Sequence, residues 1–231
     1  MKVKMILGMV AFMIGATASA QTDTTSTSGQ QGMMGATGST NNAGTTGKVG
    51  KMTVTAFNNI NAKGNQMVSA ITPTSTALSA ADKQLMMKVA AGGQRQLAIS
   101  QAVVDKATNE QVKVLAASEV EEQTGVAAKL KEIADAKGVT LPEGPDAAAQ
   151  ALVTKAESMT GDELDAFYIN EGGIKGHQLL QATMTTVNTT AKDATLKKLA
   201  TATLPVIKTH LTVSKDVKGM MTGTKSKSAM K

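Results

Sequence analysis

Between Ser79 and Val217 the apolar residues return every three or four positions and nowhere alternate in twos, so this stretch can bury them only as helices packed through one face. Ser79 followed by Asp82 reads as a capped start, and Leu85, Val89, Ile99 and Val103 then share one side of a helix that runs to about Lys106. Thr108 and Asn109 mark the next start. Val112, Ala116, Val120, Ala127, Leu130 and Ala134 form the stripe of a second helix, which GVTLPEGP, Gly138 to Pro145, brings to a stop. A short helix is expected from Asp146 to Ser158. Thr160 with Glu163 repeats the capping signature and opens a third long helix, with Ala166, Ile169, Ile174, Leu180 and Met184 near one face. The fourth is expected from about Lys192 to Val217, with Leu196, Leu199, Val206, Ile207, Val213 and Val217 inward. Short links and one longer crossover between the second and third helices predict an all-α, ferritin-like antiparallel four-helix bundle with a short crossover helix.

Two details qualify that layout. VKVLA at Val112 to Ala116 is echoed by LKKLA at Leu196 to Ala200, and glycine pairs fall inside the first and third helices at Gly92-Gly93 and Gly172-Gly173. A mid-helix glycine costs about 1 kcal/mol against alanine, so these pairs predict close helix approach or a kink. Pro205 removes one rung of the fourth helix and is expected to bend it near Ala202.

Outside the bundle the composition changes. Lys2 and Lys4, the apolar run Ile6 to Ala16 and the small residues Ala18-Ser19-Ala20 read as an export signal over residues 1–20, with the mature chain expected from Gln21. From Gln21 to Gly50, 18 of 30 residues are Thr, Ser or Gly, too polar to offset the entropy of ordering. Residues 21–78 are therefore expected to be a linker. A possible short helix over 53–71 would carry Val54, Phe57, Ile60, Met67 and Ile71, interrupted by Gly64. The absence of Cys excludes disulfides, thiolate metal sites and a lipidated mature N-terminus. Phe12, Phe57, Phe167 and Tyr168 are too few aromatics for the girdles of an outer-membrane barrel.

The net charge of +6 is carried by the chain ends. Residues 75–217 hold 15 basic against 17 acidic groups, and residues 218–231 hold four Lys. A nucleic-acid face would place basic residues among aromatics on the domain itself, so nucleic acid is not the expected partner. The tail 218–231 is expected to be flexible; a touch on anionic lipid or an anionic envelope polymer is the alternative.

The runs VAAGGQRQLAISQAVVDKATNEQVKVLA, KLKEIADAKGVTLP, LDAFYINEGGIKGHQ and LATATLPVIKTHL resemble the exported bacterial domain-of-unknown-function family 4142, whose members are often labelled predicted outer-membrane proteins. KGVTLP and LP-x-x-x-H-L are the most specific pieces. The resemblance covers residues 79–217 and implies a ferritin-like bundle in the periplasm or at the outer membrane. It implies little about activity, because fold does not fix function. Family members place an acidic residue on the first helix where Gln96 stands, and an Asp-His pair on the second where Glu122-Gln123 stand. On the third helix, the position before the matching histidine is Gly176.

Both histidines, His177 and His210, fall on apolar stripes and point inward. A di-metal centre in such a bundle needs carboxylates from each helix and Glu-x-x-His pairs, which this chain lacks. Two arrangements of the interior remain. In one, Gln96, Gln123, His177 and His210 form a neutral buried hydrogen-bond network without a cofactor, and the protein acts as a non-catalytic envelope or stress-related binding or structural bundle. In the other, His177, His210, Glu122 and Glu119 hold a divalent metal for scavenging or oxidoreductase chemistry. Asp165, Glu163 and Glu171 read as solvated helix-face charges. No nucleophile elbow or phosphate loop occurs, which favours the non-catalytic arrangement and leaves the metal-dependent one as the alternative.

Overall fold

The computed structural model of the protein describes residues 47–228. The expected export signal at 1–20, the linker from 21 to 46 and residues 229–231 lie outside the described residues. A two-rung antiparallel ribbon of β1 (Lys48–Val49) and β2 (Met52–Thr53) turns through Gly50 at φ +60° and leads into α1 (Val54–Ser69). α2 (Ala80–Val104) and α3 (Glu110–Ala136) follow, then α4 (Ala147–Glu157). α5 (Gly161–Tyr168), a π-helical stretch (Ile169–Gly176) and α6 (His177–Thr190) run on without a break, and α7 (Ala194–Ser228) ends the described chain. The protein is an all-α bundle of α2, α3, the α5–α6 rod and α7, with α4 in the crossover.

Local chemistry sets the helix ends. Ser79 Oγ accepts from Asp82 N, Asn109 Oδ1 from Gln111 N and Asp146 Oδ1 from Ala149 N, each satisfying a first-turn N–H. Gly138 closes α3 at φ +65°, with Val139 N bonded back to Ala134 O. The expected box at Thr160 does not form: its side chain makes no capping bond and Gly161 enters the helix at φ +59°. Asp193 instead caps α7, accepting from Thr195 N and Leu196 N, and pairs with the buried Lys137 at 2.6 Å.

The folded domain begins well before Ser79, which corrects the expected linker boundary. α1 lies against α3 and α7 and buries Phe57, Asn61, Gly64 and Val68. Gly64 does not interrupt the helix. It is the crossing point with α7, where an added Cβ would overlap Val206 Cγ2. The apolar stripe expected for this segment holds at Phe57 and Ile71, which are buried, and fails at Met67, which is 41% exposed, while Asn61 and Gly64, neither of them apolar, face inward. At the other end, α7 continues to Ser228, so residues 218–228 extend the last helix instead of forming a flexible tail.

Asp165 also departs from expectation. It is 1% exposed and accepts from Thr108 N, Thr108 Oγ1 and Asn109 N, which ties α5 to the start of α3. Three donors at a helix N-terminus satisfy its two oxygens, which is why burial is tolerable there. Glu163 is exposed, and Glu171 pairs with Lys175 at 2.6 Å.

The apolar interior falls into two clusters. One contains Met86, Val89, Val126, Leu130, Leu180, Met184, Leu199 and Ile207; the other contains Phe57, Ile99, Val103, Leu115, Tyr168, Ile169, Val213 and Val217. On each of the four bundle rods the crossing from one cluster to the other passes a polar residue: Gln96, Glu119 to Gln123, His177 and His210. A polar layer therefore divides the core.

Candidate metal centre

Glu119 is the hub of that layer. It is fully buried, and its Oε2 accepts from His177 Nε2 at 2.9 Å and from His210 Nδ1 at 2.8 Å. Its Oε1 accepts from Gln123 Nε2 at 3.0 Å and, more weakly, from Gln96 Nε2 at 3.4 Å. Gln96 Nε2 also donates to Gly172 O at 3.1 Å. The two imidazole rings lie 5.2 Å apart between centroids, and Phe57 covers the outer face of His210 at 5.0 Å.

The π-helical stretch positions His177. Widening the turn over Ile169–Gly176 leaves the carbonyls of Gly172 and Gly173 pointing at the ring, and His177 Nδ1 donates to them at 3.1 and 2.9 Å. Carbonyls and carboxylates only accept, so the protonated ring satisfies all three of these partners, while Gln96 Nε2 is a further donor 3.4 Å from Nδ1. Burial alone would strip that proton. The charge of Glu119, its hydrogen bond and the two carbonyls outweigh burial and hold the His177 pKa above its ordinary value. Burial likewise opposes the Glu119 charge, but His177, by its charge and hydrogen bond, and then His210 keep that carboxyl well below the usual range.

His210 balances differently. Burial pushes its pKa down, Glu119 offsets part of this, and the charge on His177 adds to the depression. Asn61 Oδ1 lies 2.8 Å from His210 Nε2, and Asn61 Nδ2 has no partner. A half-turn of this amide presents Nδ2–H to a ring nitrogen that has lost its hydrogen, so Asn61 serves His210 in either protonation state.

Glu122 is the anomaly. It is 3% exposed, its Oε2 is 3.6 Å from His210 Nδ1, and neither carboxylate oxygen has a hydrogen-bond partner. Burial first, and the neighbouring Glu119 charge second, raise its pKa well above the usual carboxylate value, which favours the protonated acid. Within the layer Glu119 is held toward its charged form and His177 toward its protonated form, while burial draws His210 toward the neutral ring.

The residues singled out from the sequence, His177, His210, Glu119, Glu122, Gln96 and Gln123, thus lie in one buried layer. The network is not neutral, however: both amides donate to a charged Glu119, and Gln96 Oε1 is left without a partner beside Gly176. Asn61 escaped notice, and Phe57 was placed on a possible helix but not at the site, because that segment was assigned to the linker. Their four-residue spacing, continued by Gly64 and Val68, is the signal that could have found them.

One donor atom from each of Glu119, His177 and His210 falls within 4.8 Å of the others, a separation that one ion can bridge. Ligand atoms around a tetrahedral ion at ~2.0–2.1 Å stand about 3.3 Å apart. The 2.8 and 2.9 Å contacts are those of hydrogen bonds, so an ion entering here must spread the donors by about half an ångström. Two imidazoles with the Glu119 carboxylate suit a borderline first-row divalent cation, and Glu122, its Oε2 3.6 Å from His210 Nδ1, stands beside this group of three without being part of it.

A helical bundle with a buried Glu/His layer defines a class of architecture, and the comparisons supply the family. Residues 68–217 match the family model described as "Domain of unknown function (DUF4142)", and the chain belongs to that family. The matched span contains Glu119, Glu122, His177 and His210 and leaves out Phe57 and Asn61. No curated protein and no solved structure matches the chain. Among the described residues no helix is long and apolar enough to cross a membrane.

Proposed function

We propose that the protein is an exported, non-catalytic bundle that binds one divalent transition-metal ion through Glu119, Glu122, His177 and His210. The Glu122 carboxyl, buried without a hydrogen bond beside His210, carries this reading. A buried acid with no hydrogen bond costs about 1–3 kcal/mol and is retained where it has a task. Charge supports it too. Replacing the protons on Glu122 and His177 by one dication leaves two carboxylates and two neutral imidazoles around it, so the buried layer stays neutral overall. Export rests on the first twenty residues, and the basic chain end remains a candidate contact for an anionic envelope polymer or lipid.

The second reading is a metal-free polar layer that fixes helix register. The Glu119–His177 ion pair favours it, because every ring hydrogen of His177 already has an acceptor. Titration of the metal-free full chain with Co²⁺ and Zn²⁺, followed by d–d absorption and elemental analysis after gel filtration, separates the two. Metal binding requires one ion per chain, lost in His177→Ala and weakened at least tenfold in Glu122→Gln. Absence of a stoichiometric ion, with melting unchanged by Zn²⁺, would establish the metal-free layer.

A further inference from the structure

Between α2, α3 and the loop after α3 lies a half-open cleft of about 450 Å³, a volume in the range of small-molecule sites. Its walls are apolar: Val89 and Ala90 from α2, Val126 and Leu130 from α3, and Val139 and Leu141 from the loop. The loop is the KGVTLP turn. It is held in place by the left-handed Gly138, by the bond from Val139 N to Ala134 O, and by Gln94 Nε2 donating to Pro142 O at 2.7 Å. This wall is therefore built into the fold.

Gln94, Thr140 and the buried Gln123 are the uncharged polar residues among the cleft's lining, and Gln123 is the one that reaches the polar layer. Its Nε2 is committed to Glu119 Oε1, which fixes the orientation of the amide, and its Oε1 accepts no hydrogen bond among the described residues. Gly93 makes room for this. A Cβ at Gly93 would stand 3.0 Å from Gln123 Oε1, and one at Gly92 would stand 2.9 Å from Leu180 Cδ2. Gly93 thus gives up a side chain where the cleft meets the amide, while Gly92 does so toward Leu180, outside the cleft. At the mouth Lys131 and Asp135 pair with each other at 2.6 Å, which leaves Glu143 as the unbalanced charge.

We propose that this cleft is a binding site for a small amphipathic organic molecule, an apolar body ended by one neutral or cationic O–H or N–H donor that bonds to Gln123 Oε1. The apolar walls bury the body, the oriented acceptor selects the donor, and Glu143 with a carbonyl-type oxygen at the floor disfavours a carboxylate end. The site does not rest on the metal reading, since its walls and the Gln123–Glu119 bond are observed independently of any ion.

The test is an NMR titration of the full chain, following the Gln123 side-chain amide and the methyls of Val126, Leu130 and Leu141. The probes are 4-butylphenol, butylbenzene, 1-octanol and octanoate. Saturable shifts are expected, with 4-butylphenol binding at least tenfold more tightly than butylbenzene and 1-octanol more tightly than octanoate. Preference for 4-butylphenol over 1-octanol assigns the site to flat aromatic molecules; the reverse assigns it to acyl-chain alcohols. Gln123→Leu is expected to abolish the phenol preference. Because Gln123 also touches Glu119, Ala127→Trp at the exposed rim serves as the second variant, blocking binding while the melt stays unchanged. No saturable shift with any probe, equal affinity for phenol and hydrocarbon, or full binding in Ala127→Trp would overturn the proposal.

Discussion

Glu119 keeps a charge where isolated charge costs several kcal/mol, and it does so because four donors converge on its two oxygens. Glu119→Gln would leave the His177 imidazolium without its counter-charge, and we expect a loss of about 3–5 kcal/mol in urea unfolding of the metal-free protein. Glu122 has the opposite sign. Its folded pKa is raised, so its contribution is fully present below the unfolded carboxyl value near ~4.3 and is lost as pH rises through the folded value. Glu119, with a depressed value, contributes above ~4.3 and loses that contribution as pH falls. Glu122→Gln removes only the first dependence. The stability difference between Glu122→Gln and the parent should therefore grow in favour of the variant from pH 5 to pH 8, and a constant difference would show that Glu122 is ionised in the fold. Which residues sit in this layer was legible from the sequence, because a histidine on an apolar stripe has few places to point. Their charge states were not. The carbonyls of Gly172 and Gly173 that fix the His177 proton come from a widened helical turn that no side-chain pattern announces.

Helix starts and stops were the most readable elements, since caps at Ser79, Asn109 and Asp146 act within three residues of themselves. The phase of an inward face was less readable. In α3 the apolar stripe suggested Val120 and Ala127, whereas the buried face carries Glu119, Glu122, Gln123 and Val126; a count of apolar side chains passes over buried polar ones. α1 shows the same limit, with Gly64 in the contact against Val206. Gly64→Ala should lower the melting temperature of the domain through overpacking of about 1–3 kcal/mol, and Val206→Ala in the same chain should recover part of the loss. A double-mutant cycle with no coupling would separate α1 from α7. In α7, Leu199→Ala and Ile207→Ala, each nearly fully buried, should cost about 2–5 kcal/mol by thermal melts.

For the molecule as a whole, the bundle is completed by residues that read as linker. A chain beginning at Ser79 loses Phe57, Val68 and Ile71 from its core and exposes His210 on the side that Phe57 and Asn61 cover. Burial of large apolar side chains at about 1.5–3 kcal/mol each predicts a destabilisation of several kcal/mol for that truncation, read as an earlier or non-cooperative melt. An unchanged melt would restore the boundary at Ser79. Helical class, helix number along the bundle and the inward direction of both histidines were determined by the sequence alone, because periodicity and capping are local and act through neighbours along the chain. The tertiary structure decided that α1 belongs to the domain, that Glu119 anchors both rings while Glu122 stands beside His210 without a hydrogen bond, and that a cleft opens onto Gln123. Those outcomes depend on distances between segments far apart in the chain, and on how much water is excluded between them, which no local pattern encodes.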